Sequence, residues 1–407
     1  MGYKLTFLHR TDQITESQWQ ALARHAGPFL QYTFLHQLEA TGCVGSNTGW
    51  QTCHAAIYED NHLVAIMPGY LKQDSYGEYV FDHGWASAYH QHGIAYYPKW
   101  VAAVPFTPVT GARLLCSQSH DSQSIIDWLI PALKSQLSEQ VSSLHVLFPD
   151  QQQHQCLAGQ QMLSRYSVQF QWYNYQYTTF SDFTAALTSR KRKSLRKSRE
   201  RLSQQGVRIT RKTGCELTAQ DKAFFIRCYQ QTYLKRSGHT GYLSPAFFDA
   251  IFTHMASNIL LVLASQDDAP CAAALFFFDE QHLFGRYWGA LTDIDGLHFE
   301  CCYFQGIEFA IEQHLADFNP GTQGEHKILR GFEPVLCRSS HYLFEPAFQQ
   351  AVADFLHRET PVIIDYFQQA VDVLPYNEAQ QALLQSTKQQ DVVADIVKQK
   401  QRNDNEI

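Results

Sequence analysis

The sequence predicts an α/β protein with mixed sheets, built from two similarly organised units in tandem. The chain has 407 residues, enough for two to three domains that each bury a core. Apolar residues make up 45% of it and charged residues only 17%, which excludes global disorder. One order of elements, namely two helices, a hairpin or meander, a helix and a strand, is predicted twice along the chain.

The first unit is predicted over residues 1–175. Apolar periodicity and turn residues predict helices over 14–26, 29–41, 122–140 and 151–164, and strands over 52–59, 62–72, 142–148 and 167–173. Residues 73–113 form an insertion rich in aromatic residues, glycine and proline. Because this insertion is longer than a plain connection needs, we expect it to be functional.

A basic connecting helix is predicted over residues 176–206, with Ser181 as its cap and Gly206 as its end. The second unit, residues 207–345, begins with a strand over 207–212. Cap residues Thr218 and Ser244 place two helices, and a meander, a helix and a short strand follow. The predicted helices are 219–236, 245–256 and 298–315, and the predicted strands are 258–265, 271–279, 282–291 and 316–319.

The end of the chain is predicted to hold a C-terminal helix that packs on the body. This helix falls within residues 346–375, where apolar residues recur from about 346 to 372. Residues 376–407 are polar and rich in glutamine. We expect this tail to fray, at most into a loose helix.

The charge is distributed unevenly. The net charge is −7, yet residues 190–212 hold 11 of the 32 Lys and Arg and one acid, Glu200. Such a density favours a polyanionic ligand, although a solvated linker helix would explain it equally well. Phosphates of a nucleotide-linked substrate or of tRNA fit better than sequence-specific DNA, since no DNA-binding motif accompanies the block. The candidate phosphate-binding residues are Arg190, Lys191, Arg192, Lys193, Arg196, Lys197 and Arg199.

Residues 283–335 contain the densest set of candidate catalytic and binding groups. Arg286 and Tyr287 lie on a predicted strand, and His298, Glu300 and Tyr303 lie at the start of the next helix, so they could converge. Farther along, glycines flank a base, an ammonium and a guanidinium within six positions, in Glu325, His326, Lys327 and Arg330. Each of these residues could instead form an ordinary surface ion pair.

Several classes of protein lack their signatures here. There is no G-x-S-x-G, Walker loop, G-x-G-x-x-G or H-E-x-x-H, and the ten cysteines show neither C-x-x-C nor zinc spacing. We expect free buried thiols and no metal site. No apolar run approaches 18 residues, and the N-terminus lacks the features of a signal peptide, so a cytoplasmic protein without a membrane span is expected.

Nine segments resemble the FemAB-like family of peptidoglycan biosynthesis or recognition proteins, within the GNAT acyltransferase superfamily. They are TGW (48–50), SYGEYVFD (75–82), YYPK (96–99), VPFTPVTG (104–111), SSLHVLFPD (142–150), SRKRKSLRK (189–197), GRYWG (285–289), HFECCYFQGIEFAIE (298–312) and GTQGEHKILRGF (321–332). The resemblance runs from about residue 30 to 372. It implies two GNAT-like units in tandem.

The resemblance also implies an activity: Fem-type enzymes transfer an amino acid from aminoacyl-tRNA to an amine on a peptidoglycan precursor. Acyl-CoA is a second candidate donor, but TDIDGLHF stands where CoA-dependent relatives carry a glycine-rich pyrophosphate loop. Two different functions are also compatible with the sequence. One is an acyl-CoA-dependent N-acetyltransferase acting on a small amine, and the second is a non-catalytic module that recognises a cell-wall precursor or RNA.

The expected roles of individual residues follow from that transfer. His326 or Glu325 would take the proton of the amine, and Lys327, Arg330 and Arg286 would steer the anionic substrate. The remaining candidates for substrate contact are Tyr287, His298, Glu300, Tyr303, Asp82, Tyr76 and Tyr79.

Overall fold

The computed structural model describes residues 2–322, 324–387, 389, 393 and 396. It divides into two compact units, one of Met1–Ser167 with Cys337–Ile363 and one of Val168–Leu336 with Ile364–Ile407. The predicted domains differ, since the basic connecting helix lies inside the second unit and residues 337–345 lie in the first. The chain crosses between units within two strands and one helix, so no linker composition marks the boundaries.

The described strands, in chain order, are β1 Tyr3–Leu8, β2 Trp50–Thr52, β3 His54–Glu59, β4 His62–Met67, β5 Gly69–Lys72, β6 Lys99–Ala102, β7 Leu115–Cys116, β8 Ser143–Leu147, β9 Leu163–Tyr173, β10 Val207–Thr213, β11 Ile259–Gln266, β12 Ala269–Phe278, β13 His282–Ala290, β14 Asp317–Asn319 and β15 Glu333–Leu343.

The described α-helices are α1 Glu16–Leu22, α2 Tyr32–Ala40, α3 His83–Gln91, α4 Ser122–Leu137, α5 Gln151–Gly159, α6 Phe180–Ala186, α7 Ser189–Gln204, α8 Ala219–Ser237, α9 Pro245–His254, α10 Leu297–Phe299, α11 Gln305–Glu312, α12 Pro346–Asp372 and α13 Glu378–Gln381. A π turn, Glu300–Phe304, joins α10 to α11, and a 3₁₀ helix covers Glu325–Arg330. Within the described residues, no helix combines the length and apolarity needed to cross a bilayer.

The first unit contains two sheets. One is antiparallel, in the order β1-β3-β4-β7. In the other, β8 pairs antiparallel with Ser339–Leu343 and parallel with β6, and β5 and β2 follow. Helix α4 packs its apolar face, from Ile125 to Leu137, against strands of both sheets. This forms the core of the first unit.

In the second unit, β10, β11, β12 and β13 form an antiparallel meander, and β14 adds parallel to β13. The chain from Leu297 to Glu312 connects β13 to β14 and buries Ile307 and Ile311 against the sheet. The predicted α/β class with mixed sheets is confirmed. Because β14 runs parallel to β13, the helical segment that connects them starts beside the C-terminal end of β13.

The structure corrects the predicted elements. β1, β6, β7 and β15 have no counterpart among the predicted strands. The basic helix is two helices, and Thr179 rather than Ser181 caps the first of them, α6. The chain is extended at Leu187, which is buried, and the N–H of Thr188 bonds to the carbonyl of Pro375, so helical hydrogen bonding is interrupted there.

The predicted loose tail is also partly wrong. Tyr376 and Leu384 are buried, and the hydroxyl and N–H of Ser386 donate to Glu333. These contacts fix residues 376–387 to the second unit. Residues 388, 390–392, 394–395 and 397–407 of the predicted tail lie outside the described residues. The insertion 73–113 contains α3 and β6, and all ten cysteines are free.

Gly289 on β13 offers a test of how closely α8 packs on the sheet. A Cβ at this position would lie 2.0 Å from the carbonyl oxygen of Cys228, which is backbone and cannot move alone. We expect Gly289→Ala to lower the free energy of unfolding by about 1–3 kcal/mol, measured by urea titration. Gly84→Ala on α3, where no atom lies within 4 Å, is the matched control and should be neutral or slightly stabilising. Equal stability of the two variants would contradict this packing.

Candidate active site

The site is built around the π turn Glu300–Phe304. The N–H of Gln305 donates to the carbonyl of Glu300, five residues earlier, instead of four as in an α-helix. This wider turn brings residues five apart onto one side. His298 and Tyr303 accordingly face each other, with ring centroids 5.3 Å apart. In an uninterrupted α-helix they would point about 140° apart.

His326 meets this pair from the 3₁₀ helix Glu325–Arg330. The hydroxyl of Tyr303 lies 2.7 Å from Nε2 of His326. Gly324 allows the approach of the ring, since its φ is 110° and a Cβ there would lie 2.1 Å from Cε1 of His326. The imidazole is exposed, whereas Tyr303 is buried. His326 is therefore the member of the pair that a ligand can reach.

The protonation of this pair follows from its surroundings. Burial, and then Arg330 and Lys327, lower the pKa of His326. Burial raises the pKa of Tyr303. Both groups are thus neutral near pH 7, so one nitrogen of the His326 ring is unprotonated and can accept a proton.

Cations surround the aromatic groups. Lys327 is buried, 2% exposed, and its ammonium donates to the carbonyl of Gly321 at 2.6 Å. The guanidinium of Arg330 donates to the carbonyl of His326 and lies 3.3 Å from the centroid of the Phe299 ring. Burial, and then Arg286, lower the pKa of Lys327 to about 7. Lys327 is therefore only partly charged at neutral pH.

The remaining side of the cluster is also positively charged. Burial, and then His326, Arg236, Arg330 and Lys327, lower the pKa of His298 to about 4. In the described part of the chain, the charged residues acting on His298, His326 and Lys327 are cations. Such a set is suited to an anionic group, which would relieve the repulsion among them.

Three predicted site residues point elsewhere. The carboxylate of Glu325 accepts from Tyr366 at the surface, 3.0 Å away. Glu300 is buried and accepts from Arg199. Tyr287 packs on Tyr229, and Arg286, in a bulge of β13, places its guanidinium 5.6 Å from the centroid of the Tyr287 ring. The structure thus brings together Arg286, His298, Tyr303, His326, Lys327 and Arg330.

The seven predicted phosphate-binding residues of α7 divide into two groups. Arg199 is ion-paired with both Glu300 and Glu308, so its charge is already neutralised. The other six are exposed or half-exposed, and Arg196 also pairs with Glu200 of its own helix at 3.5 Å. A phosphate-binding role therefore rests on Arg190, Lys191, Arg192, Lys193, Arg196 and Lys197.

The three candidates in the insertion belong to the first unit. Asp82 is buried, accepts from Tyr96 at 2.6 Å and pairs with the buried Lys99. Lys99 also binds Glu78, whose pKa burial raises to about 7. Tyr76 is 64% exposed, and Tyr79 is half-buried with a φ of 62°. Asp82 is therefore part of a buried ion cluster, and only the two tyrosines offer surface to a ligand.

Two site residues escaped the sequence analysis. Phe299, under the guanidinium of Arg330, is adjacent in sequence to His298 and could have been included. Arg236, at the end of α8, acts on His298 although 62 residues separate them. No local pattern indicates the position of Arg236.

The fold is that of an α/β protein with mixed sheets, and the site is cationic and aromatic. The chain belongs to the FemAB-like family, described as peptidoglycan biosynthesis/recognition, whose profile matches residues 10–378. No curated protein sequence matches the chain.

Three solved structures resemble this one at low identity. FemX is 11% identical, with 85% of this chain and 99% of that chain covered and a TM-score of 0.49. L-PGS from Bacillus licheniformis is 11% identical, with 84% and 97% covered and a TM-score of 0.49. A tandem GNAT protein from the clavulanic acid biosynthesis pathway is 10% identical, with 85% and 99% covered and a TM-score of 0.46.

The buried ammonium of Lys327 predicts a pH-dependent stability. Its pKa is about 7 when folded and about 10.4 when unfolded, so the unfolded chain binds more protons between these values. The stability of the wild type should rise with pH across this window. We expect Lys327→Met to be more stable than the wild type by a few kcal/mol at pH 6, with the difference shrinking towards pH 10.

Urea unfolding of both proteins at several pH values measures this difference. A constant difference from pH 6 to pH 10 would show that Lys327 does not titrate in this window.

Proposed function

We propose that the protein is a FemAB-like N-acyltransferase or aminoacyltransferase that transfers an acyl or aminoacyl group to an amine, with a peptidoglycan precursor as candidate acceptor. The observation that carries this proposal is the neutral, exposed His326, held by Tyr303 among the cations Lys327, Arg330 and Arg286. It combines a proton acceptor with positive charge where a reacting carbonyl develops negative charge.

The reaction needs no covalent intermediate with the enzyme. The amine nitrogen attacks the carbonyl carbon of the donor, the bond from that carbon to the leaving oxygen breaks, and the amine proton passes to His326. His326 then returns a proton to the leaving oxygen. Because Tyr303 is buried, the amine proton passes directly to the exposed ring: with Nε2–H donating to the Tyr303 oxygen, Nδ1 is the nitrogen that accepts it.

The cations have two separate tasks. Arg330 is fixed by the carbonyl of His326 and by the Phe299 ring, so its guanidinium is preorganised to bind an anion. Lys327 lies deeper, and its partial charge would become full when a negative group arrives. An oxyanion or a phosphate beside Lys327 is thereby stabilised without reorganisation of the site.

The charge of the β13–α10 connection supports aminoacyl-tRNA over acyl-CoA as donor. This connection carries Asp293 and Asp295, where a CoA-dependent enzyme would bind a pyrophosphate. Arg201 pairs with Asp295 at 2.5 Å, but both partners are exposed, and Asp293 adds a second negative charge. The exposed cations of α7 suit the phosphates of an RNA donor.

A matched pair of variants tests the choice of base. We expect His326→Ala to lower kcat by about 10²- to 10⁴-fold, as loss of a general base does, with substrate binding largely retained. Glu325→Gln should stay within a few-fold of the wild type, because Glu325 faces Tyr366. Turnover is measured with aminoacyl-tRNA and a UDP-linked muropeptide. Unchanged turnover in His326→Ala would exclude this residue as the base.

The donor is tested by salt-titrated binding of charged tRNA, with acetyl-CoA as competitor. We expect binding that weakens steeply with salt and resists acetyl-CoA. In the variant Arg192→Gln, Lys193→Gln, Arg196→Gln, each neutralised cation that contacts phosphate should reduce the slope of log K against log salt by about 0.7–0.9.

Binding of acetyl-CoA alone would favour a small-molecule N-acetyltransferase. Tight RNA or precursor binding without product from any donor would favour a recognition module.

A further inference from the structure

The basic helix α7 is attached to the π turn through Arg199. Nε of Arg199 donates to Oε2 of Glu300 at 3.0 Å, and Nη2 lies 2.8 Å from Oε1 of Glu300 and 2.9 Å from Oε2 of Glu308. The guanidinium also lies 4.1 Å from the centroid of the Phe180 ring. One side chain of the basic helix thus contacts both ends of the segment that carries Tyr303.

Glu300 depends on this contact. It is the first residue of the π turn, its side chain is only 7% exposed, and its remaining hydrogen bond comes from Nε2 of Gln305 at 2.7 Å. A buried carboxylate that loses its cation is strongly destabilised. Without Arg199, Glu300 would be more stable facing water. A change of the turn from the π to the α-helical register would allow that rotation.

The register of the turn determines where Tyr303 points. In the π turn, Tyr303 lies on the side of His298 and bonds to His326. In an α-helical register, Tyr303 would rotate away from His298, and the hydrogen bond to Nε2 would be lost. The π and the α-helical registers are discrete alternatives, because the turn either contains one extra residue or does not contain it.

Most exposed cations of α7 lie on the turns that precede Arg199. Arg196 lies one turn before Arg199, and Arg192 and Lys193 lie about one turn farther. A chain of phosphates bound along these turns would pass beside Arg199 and compete for its guanidinium with Glu300 and Glu308. Binding at the surface would then change the contact that holds the π turn.

We propose that Arg199 is a positioning residue that links α7 to the π turn. RNA phosphates bound along α7 would then alter the Tyr303–His326 hydrogen bond. This inference rests on the proposed function for its biological meaning, since RNA is the proposed donor. The structural part of the inference concerns only helix α7 and the Tyr303–His326 hydrogen bond.

The positioning role is tested on the protein alone. NMR of histidine-labelled protein gives the pKa of His326, to which the hydrogen bond between Tyr303 and Nε2 contributes in the folded protein. We expect Arg199→Gln to change this pKa in the same direction as Tyr303→Phe, because both variants remove the hydrogen bond. Arg201 lies on the same helix as Arg199 and forms an exposed ion pair with Asp295. We expect Arg201→Gln, which breaks only this pair, to leave the His326 pKa unchanged.

Arg199→Lys guards against loss of folding, because lysine restores the charge but cannot bridge Glu300 and Glu308 together. We expect its His326 pKa to lie between those of the wild type and Arg199→Gln. An unchanged His326 pKa in folded Arg199→Lys and Arg199→Gln would overturn the positioning role.

The link to RNA is tested by adding a short poly(U) RNA. We expect the His326 signal of the wild type to move with saturation of poly(U), and to move far less in Arg199→Gln at equal occupancy. A peptide nucleic acid of the same length, which has no phosphates, should leave the signal in place. Saturating poly(U) that leaves the wild-type signal unmoved would overturn the link.

Neither experiment uses a donor or an acceptor. Loss of the proposed transferase activity would therefore leave these results standing, and failure here would leave the transferase proposal to its own test.

Discussion

The hydrogen bond from the N–H of Gln305 to the carbonyl of Glu300 is the constraint on which the site depends. It widens one helical turn, and two side chains take their positions from it. Tyr303 turns towards His298 and His326, while Glu300 turns towards Arg199 on α7. Among the described residues, the charged groups that shift the pKa values of His298 and His326 are therefore cations.

This arrangement of buried cations lowers the stability of the fold. Burying the ammonium of Lys327 next to Arg286 lowers its pKa to about 7, and the imidazoles of His298 and His326 also have lowered pKa values. A folded protein keeps such a group against its own stability where function requires it. An anionic substrate would neutralise the repulsion among these cations. Its binding would therefore recover part of the free energy lost when they are buried.

The sequence predicted the meander, the caps of α8 and α9, and the cluster from His326 to Arg330, because these depend on local periodicity and short spacing. It could not predict the π turn, since its signal is a hydrogen bond between residues five apart and not a residue type. Glu300 and His298 were therefore grouped on one side of a helix that in fact separates them. The break at Leu187 was missed because the hydrogen bond beside it, from the N–H of Thr188 to the carbonyl of Pro375, joins residues nearly 190 positions apart in the sequence.

The most direct test of the central claim is a single-turnover experiment followed by mass spectrometry. The protein is mixed with a pool of charged tRNAs and a UDP-linked muropeptide, and the mass of the muropeptide is measured over time. The account predicts an increase equal to one aminoacyl residue, with release of uncharged tRNA. An unchanged muropeptide mass with every charged tRNA, while acetyl-CoA yields an acetylated amine, would contradict it.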